Sequence, residues 1–424
     1  MFYIRSAYRV SDEEIRINFA RHLKNTHTLY LLENGEQKKF SVECGTNECP
    51  SIWTPKFTIL PWIGRVQHKI GNDTNEEITI FSSRTNAKQI LPVVDIRKPN
   101  NFTDYKDKLG VCIQPAYNYY KYFELIQFFE TWIQNGATKF YFYKTLISKD
   151  IQLVLDHYKK NVEGVKIEII EWSPLPKNGT YDPNRHAKRF LANPAMLDCL
   201  YRARYHQKYI AQTDLDEIIA INNKKHGTLI KFLEKVSENN KNQISTFSFL
   251  ARNAKLDRKW KSFDDIMRIK FNNFENAKIS AKFKRGIFSK LIFRPDYIYN
   301  FFAHHHLDTE TGKLTNIKYQ GYNVSITDGA LHHFRERSKK QRVLHPTNHY
   351  KYMINSLNHN LIHHISNISR LNETKYLQIK KGADAFSRCM DYMNFSNTVN
   401  KCGGKFSVIR NKNFLSVNNT WISL

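Results

Sequence analysis

Over the first hundred or so residues, short apolar runs alternate with turn-forming residues: FYIRSAYRV, EIRINFARHL, HTLYLLEN, KKFSVECG and EEITIFSS are each closed off by Gly, Asn, Pro or Asp. Apolar runs of this length between such punctuation predict strands and turns. Near Lys98 the stretch RKPNNFTDYKDK is polar and turn-forming and marks a boundary. Residues 1–104 are therefore expected to form a β-rich unit.

From Leu109 the period changes. LGVCIQPA reads as a strand, and in the following YYKYFELIQFFETWIQNG the residues Tyr122, Ile126, Phe129 and Ile133 recur at the spacing of one helical face, with Gly136 as the stop. TKFYFYK predicts a strand, SKDIQLVLDHYKKN a helix and VKIEIIEW another strand. Asn193 and Pro194 suit a cap and a first helical position, after which Met196, Leu200 and Ala203 line one face, and KYIAQT predicts the next strand. Such alternation calls for crossovers of one hand and a mostly parallel sheet, which takes its ligands beyond the carboxyl ends of its strands. The fold class expected is α/β, with this domain spanning residues 105–345. Beyond Asn222 the pattern predicts a helix at GTLIKFLEKVSEN, a strand at QISTFSFL, a basic aromatic stretch, and a helical, asparagine-rich extension over residues 346–424.

Three acids, Asp214, Asp216 and Glu217, follow KYIAQT directly. In an extended segment Asp214 and Asp216 leave the same face, while Leu215 points into the core. Two carboxylates so placed suit a divalent cation whose other ligands are phosphate oxygens, and do not suit a closed protein cage. An isolated Asp-X-Asp is most often an acidic turn; the position at a strand end of an α/β unit favours the metal reading. Alternation turns Glu217 away from the two aspartates, so it is expected to orient a neighbour or pair with a basic group rather than bind the ion.

Composition narrows the classes. The chain has 424 residues, 41% of them hydrophobic and 13% aromatic, enough for a large core in more than one unit. Lys and Arg outnumber acids 65 to 39, and the net charge of +26 favours polyanions, anionic membrane surfaces or phosphorylated ligands. The six cysteines lack zinc-module spacing, and Cys44 with Cys49 is the pair best placed for a disulfide. Sequons begin at Asn72, Asn101, Asn178, Asn323, Asn367, Asn372, Asn394 and Asn418. No run of about twenty apolar residues occurs, and MFYIRSAYRV lacks the apolar centre of a signal peptide, so no membrane segment is expected within this chain.

LGVCIQPAYNYYKYFELIQFFETWIQNGATKFYFYK, followed by LDCLYRARYHQKYIAQTDLDEIIA, resembles glycosyltransferase family 92 in order and spacing. FYIRSAYRV resembles its upstream strand, KLIFRPDYIYNFFAHHH its segment ending in histidine, and ALHHFRE its late His-Tyr-Arg motif. There are departures: RFLANPAM lacks the family's glutamine, Phe334 replaces the tyrosine of the late motif, and the proline after the acidic motif is missing. The resemblance implies a Rossmann-like domain of the GT-A type and inverting transfer of galactose from UDP-galactose to fucose or a related core residue of a glycan. It also implies a Golgi protein with an amino-terminal membrane anchor. Manganese is expected at Asp214 and Asp216, and the resemblance adds His333, on which the late motif falls.

Further candidates follow from residue type. Asp198 is expected either to contact the nucleotide or to form an i, i+4 ion pair with Arg202. Cys199 reads as a small buried residue. By the same resemblance, His304, His305, His306 and His332 lie in segments where such transferases place a further metal ligand or a diphosphate contact; a solvated histidine-rich loop is the other reading of the first three. Arg335, Lys284, Arg285 and Arg294 suit donor phosphates. For the base that takes the acceptor proton, Asp296 and Asp308 are candidates, as are Asp257, Asp264 and Asp265. Two rival classes are a nucleic-acid-binding module, on the basic aromatic stretch KFKRGIFSKLIFRPDYIYNFF, and an inactive relative that binds glycans. Acids at a strand end argue against nucleic acid, and none is expected as a partner.

Overall fold

A computed structural model describes residues 1–45, 49, 57–69, 76–85, 88–187, 191–255, 277–305, 308–334, 345–347, 350–368, 371, 373–392 and 412–424. The protein is a mixed α/β chain, richer in strands than in helices. The first eight strands are β1 (Phe2–Ser11), β2 (Glu14–His22), β3 (Leu29–Glu33), β4 (Glu36–Lys39), β5 (Ser41–Cys44), β6 (Ile59–Gln67), β7 (Glu77–Ser82) and β8 (Lys88–Asp95). They pair in the order β4-β3-β7-β8-β1-β2-β6-β5.

The alternation read from Leu109 onward is present: β9 (Asp107–Tyr119), α1 (Tyr122–Gln134), β10 (Ala137–Ser148), α2 (Lys149–Asn161), β11 (Lys166–Glu171), α3 (Ala192–Ala203) and β12 (Gln207–Thr213). Gly136, at φ 97°, adopts the left-handed conformation that glycine takes without a Cβ penalty, and so turns the chain from α1 into β10. Helix α3 begins earlier than its Asn-Pro pair suggested. Leu191, at φ 58°, is the capping residue, which makes Pro194 the third helical position and not the first.

These elements continue into β13 (Glu217–Ile221), α4 (Asn223–His226), α5 (Leu229–Asn239), β14 (Ile244–Phe249), β15 (Ala251–Lys255), β16 (Lys278–Lys282), β17 (Lys290–Phe293), β18 (Gln320–Asn323), β19 (Gly329–His333) and β20 (His345–Pro346). The central sheet runs β11-β10-β9-β12-β17-β14-β18. Its first four strands are mutually parallel, whereas β17 is antiparallel to both β12 and β14. The chain steps outward from β9 to β11, then returns through α3 to β12 on the other side of β9. Connections therefore diverge between β9 and β12, and the crevice beyond their carboxyl ends is where such sheets bind ligands. A smaller sheet, β13-β19-β15-β16-β20, adjoins it.

Two cores flank the central sheet. On one face, Phe129, Trp132, Phe140 and Tyr158 join α1 and α2 to the strands, and α6 (Ile354–Asn367) packs on α1. On the other face, Tyr8 of β1, Tyr143 of β10, Leu200 of α3 and Phe293 of β17 belong to one cluster, so the amino-terminal sheet shares its core with the α/β region. The disulfide Cys112–Cys199 ties β9 to α3 within that cluster, and Cys44–Cys49 closes a short loop, as its spacing suggested. After α7 (Glu373–Tyr392), β21 (Phe414–Ser416) pairs with β10 and β22 (Ile422–Ser423) with β1. The carboxyl-terminal segment is thus stitched into both sheets. Among the described residues, no helix is long and apolar enough to cross a membrane.

Candidate functional site

The acidic segment lies at the carboxyl end of β12, at the divergence point, but it is not extended. Glu217 N–H donates to the Asp214 carbonyl (3.1 Å), and the Glu217 carboxylate accepts the Asp214 N–H (3.0 Å), which folds Asp214-Leu215-Asp216 into a turn. The expectation that strand alternation points Glu217 away from Asp214 is therefore corrected: its carboxylate reaches back into the turn. Leu215 is only partly buried, against the first core.

The basic partner expected for Glu217 is Lys290, the first residue of β17. Its Nζ lies 3.2 Å from Glu217 Oε2 and 3.4 Å from Asp214 Oδ2, and its side chain is 3% exposed. Burial pushes the Glu217 carboxyl up to about 7, with Lys290 opposing and Asp214 reinforcing the rise. Burial works to lower Lys290, but Asp214 and Glu217 together hold it above the ordinary lysine value.

His333 ends β19 directly opposite Glu217. Its Nε2 is 3.1 Å from Asp216 Oδ2 and its Nδ1 is 3.5 Å from Glu217 Oε1. Phe334 N–H donates to the Asp216 carbonyl (2.8 Å), fixing the turn against the end of β19. The Asp216 side chain, 41% exposed, opens to solvent more than that of Asp214, at 26%. Its neighbour His332 faces elsewhere, sharing a 2.5 Å hydrogen bond with the Tyr350 hydroxyl. His304 stands close by: its Nδ1 is 2.7 Å from the Ser289 carbonyl, and burial, with Lys290 among the smaller contributors, pushes it down to about 4. Among the described residues, no group of three or more His, Cys, Asp or Glu side chains is arranged to hold a metal by itself.

Other sequence candidates make contacts of their own. Asp198 is wholly buried and accepts hydrogen bonds from Ser6 (2.8 Å), Tyr8, Tyr143 (2.5 Å) and Arg202 (2.7 Å). The Arg202 pair is thus present, within a hub joining β1, β10 and α3. Asp296 accepts from the Tyr105 hydroxyl (2.6 Å) beyond the far end of β17, where Phe293 pairs with Ile210 of β12. Asp308 is exposed, and Glu310, two residues on, is buried between Arg16 and Arg204. Arg285 donates to the Ser248 and Val324 carbonyls, Arg294 to the Tyr105 hydroxyl, and Lys284 is exposed. His305 is exposed near Gly286. Arg335, His306, Asp257, Asp264 and Asp265 lie outside the described residues.

A cavity of about 420 Å³ opens at the opposite ends of the strands, lined by Asp107, Lys139, Tyr141, Lys166, Arg202 and Gln207 among others. Its charges are largely paired, Lys166 with Asp107 and Lys139 with Glu168. It faces the amino ends of the strands, away from the divergence point, so the acidic turn is the better candidate site. Lys290 escaped the reading of the sequence because KLIF looks like any strand with a solvated first residue.

Comparison with known proteins adds a family. A model described as glycosyltransferase family 92 matches residues 107–370, a span that includes the acidic turn, Lys290 and His333. No curated protein matches the chain. Among solved structures, the crystal structure of amylomaltase from Corynebacterium glutamicum is similar at 13% identity and a TM-score of 0.14, over 32% of this chain and 20% of that one. So slight a likeness carries no argument about fold or activity.

Proposed function

Because the chain belongs to glycosyltransferase family 92, we propose that it transfers a hexose, galactose from UDP-galactose, to a fucose or related residue of a glycan acceptor, with inversion and with manganese. Family membership implies a nucleotide-sugar donor and a glycan acceptor in general; the particular sugar, the metal and the stereochemistry are our reading. The observation that carries it is the pair Asp216 and His333 at the carboxyl end of β12. A Rossmann-like domain of the GT-A type accords with the parallel order β11-β10-β9-β12 and with acids at the point where its connections diverge.

The donor set fits a manganese ion: a carboxylate and an imidazole are both ligands such an ion accepts. Asp216 and His333, with Asp214 beside them, would hold it, and its other ligands would come from the diphosphate and water. When bound, the ion supplies Lewis-acid stabilisation of the charge on departing UDP. The protein's own residues do the rest. Glu217 and Lys290 fix the shape of the turn, and His333 is steadied between Asp216 and Glu217. Inversion requires the acceptor hydroxyl to lose a proton as UDP leaves.

A compartment of the secretory pathway, the Golgi, is supported by the disulfides, which persist in oxidising surroundings. The sequon asparagines Asn101, Asn178, Asn323, Asn367 and Asn418 are all exposed. The reading is tested by incubating the protein with a panel of UDP-sugars and a fucosylated acceptor, with and without manganese. Manganese-dependent transfer from UDP-galactose, with the product anomer opposite to the donor by NMR, is expected. Transfer that ignores the metal, or a product of retained configuration, would contradict it.

A further inference from the structure

Lys290 is an expensive residue to bury. An ammonium without access to water requires close anionic partners, and leaving either partner acid uncompensated would cost more still. Here both partners come from the acidic turn: Nζ contacts Asp214 Oδ2 and Glu217 Oε2, with Lys290 itself 2% exposed. Asp216 and His333 contact each other on the open side of the same turn. The two aspartates therefore meet different partners, Asp214 the ammonium and Asp216 the imidazole.

We propose that Lys290 is a positioning residue that divides the acidic turn: its ammonium engages Asp214 from beneath, leaving Asp216 with His333 as the half that meets a divalent cation. The proposal rests on the metal-dependent reading above and deepens it. Lys290 also limits the negative charge that the turn presents, and so weakens its grip on a free cation while easing the approach of an anionic donor. Removing the ammonium would take its positive charge away from Asp214 and Glu217 and leave the turn more negative.

The test is manganese uptake by the full chain without any sugar, followed through the electron paramagnetic resonance of free manganese. Lys290→Met should bind manganese roughly tenfold more tightly than wild type, from the lost charge repulsion, and Lys290→Arg should restore the wild-type value. A merely structural lysine, or one that itself holds the donor phosphate, would leave manganese affinity unchanged or lowered in Lys290→Met, which would overturn the proposal. Should Lys290→Met not fold, the aspartates decide: Asp216→Asn should weaken uptake more than about tenfold and Asp214→Asn less than about threefold. Equal losses would overturn the division. Wild-type protein that takes up no manganese would instead overturn the reading beneath it.

Discussion

His333 and Glu217 face each other across the antiparallel ladder of β13 and β19, and the imidazole bridges from Glu217 beneath to Asp216 at the surface. A buried acid behind a ligand histidine fixes its ring orientation, and loss of such a partner commonly costs about 10-fold to 100-fold in metal affinity. Glu217→Gln should therefore weaken manganese binding by about tenfold, within that range. It should also lower stability by about 2 kcal/mol, because Lys290 loses one of its two carboxylates. Calorimetric titration with manganese and a urea melt read the two effects separately.

Asp198 is expected to matter for stability. Its carboxylate gathers donors from β1, β10 and α3, and although burial works to raise its pKa, Arg202 holds it below the ordinary carboxylate value. Asp198→Asn keeps the shape but takes from Arg202 the nearer and more buried of its two carboxylates, leaving Glu168 at 3.7 Å, which should cost about 3 kcal/mol. A shift of the urea midpoint to lower concentration, with manganese affinity retained, is the expected result.

The two disulfides should differ in worth. Cys112 and Cys199 are 87 residues apart, Cys44 and Cys49 only five. Because longer closed loops restrict the unfolded chain more, the double variant Cys112→Ala/Cys199→Ala should lose on the order of 4 kcal/mol. Cys44→Ser/Cys49→Ser should lose clearly less. Thermal melts of the two double variants give the comparison.

Acid should unfold the protein in part through His304. Its pKa falls from the ordinary 6.5 to about 4 on folding, so between those values the unfolded chain binds the extra proton. Stability from this group is complete above about pH 6.5 and is lost as pH falls toward 4. With allowance for solvent screening, the loss is on the order of 2 kcal/mol. His304→Gln should flatten the dependence of melting temperature on pH in that window.

Much of this was legible in the chain. The elements from β9 to β12 announce themselves because their apolar residues keep the period of the element they form, and the acids stand at a strand end as their position after KYIAQT implied. What escaped depends on contacts distant in sequence. Lys290 reaches Asp214 across 76 positions, and Ser6 reaches Asp198 across 192. The turn itself was misread as extended because its shape comes from the Glu217 carboxylate capping the Asp214 N–H, a choice that strand alternation does not encode. Likewise, Leu191 in the left-handed conformation sets the start of α3 against the sequence signal of Asn193 and Pro194.

The central claim is that Asp216 carries the metal-dependent step, and one measurement addresses it most directly: turnover and donor affinity of Asp216→Asn in manganese, on protein shown by circular dichroism to be folded. Transfer should fall by at least about a hundredfold, as for loss of a main ligand of the ion, with His333→Ala impaired less. Folded Asp216→Asn protein that kept wild-type donor affinity and turnover in manganese would contradict it.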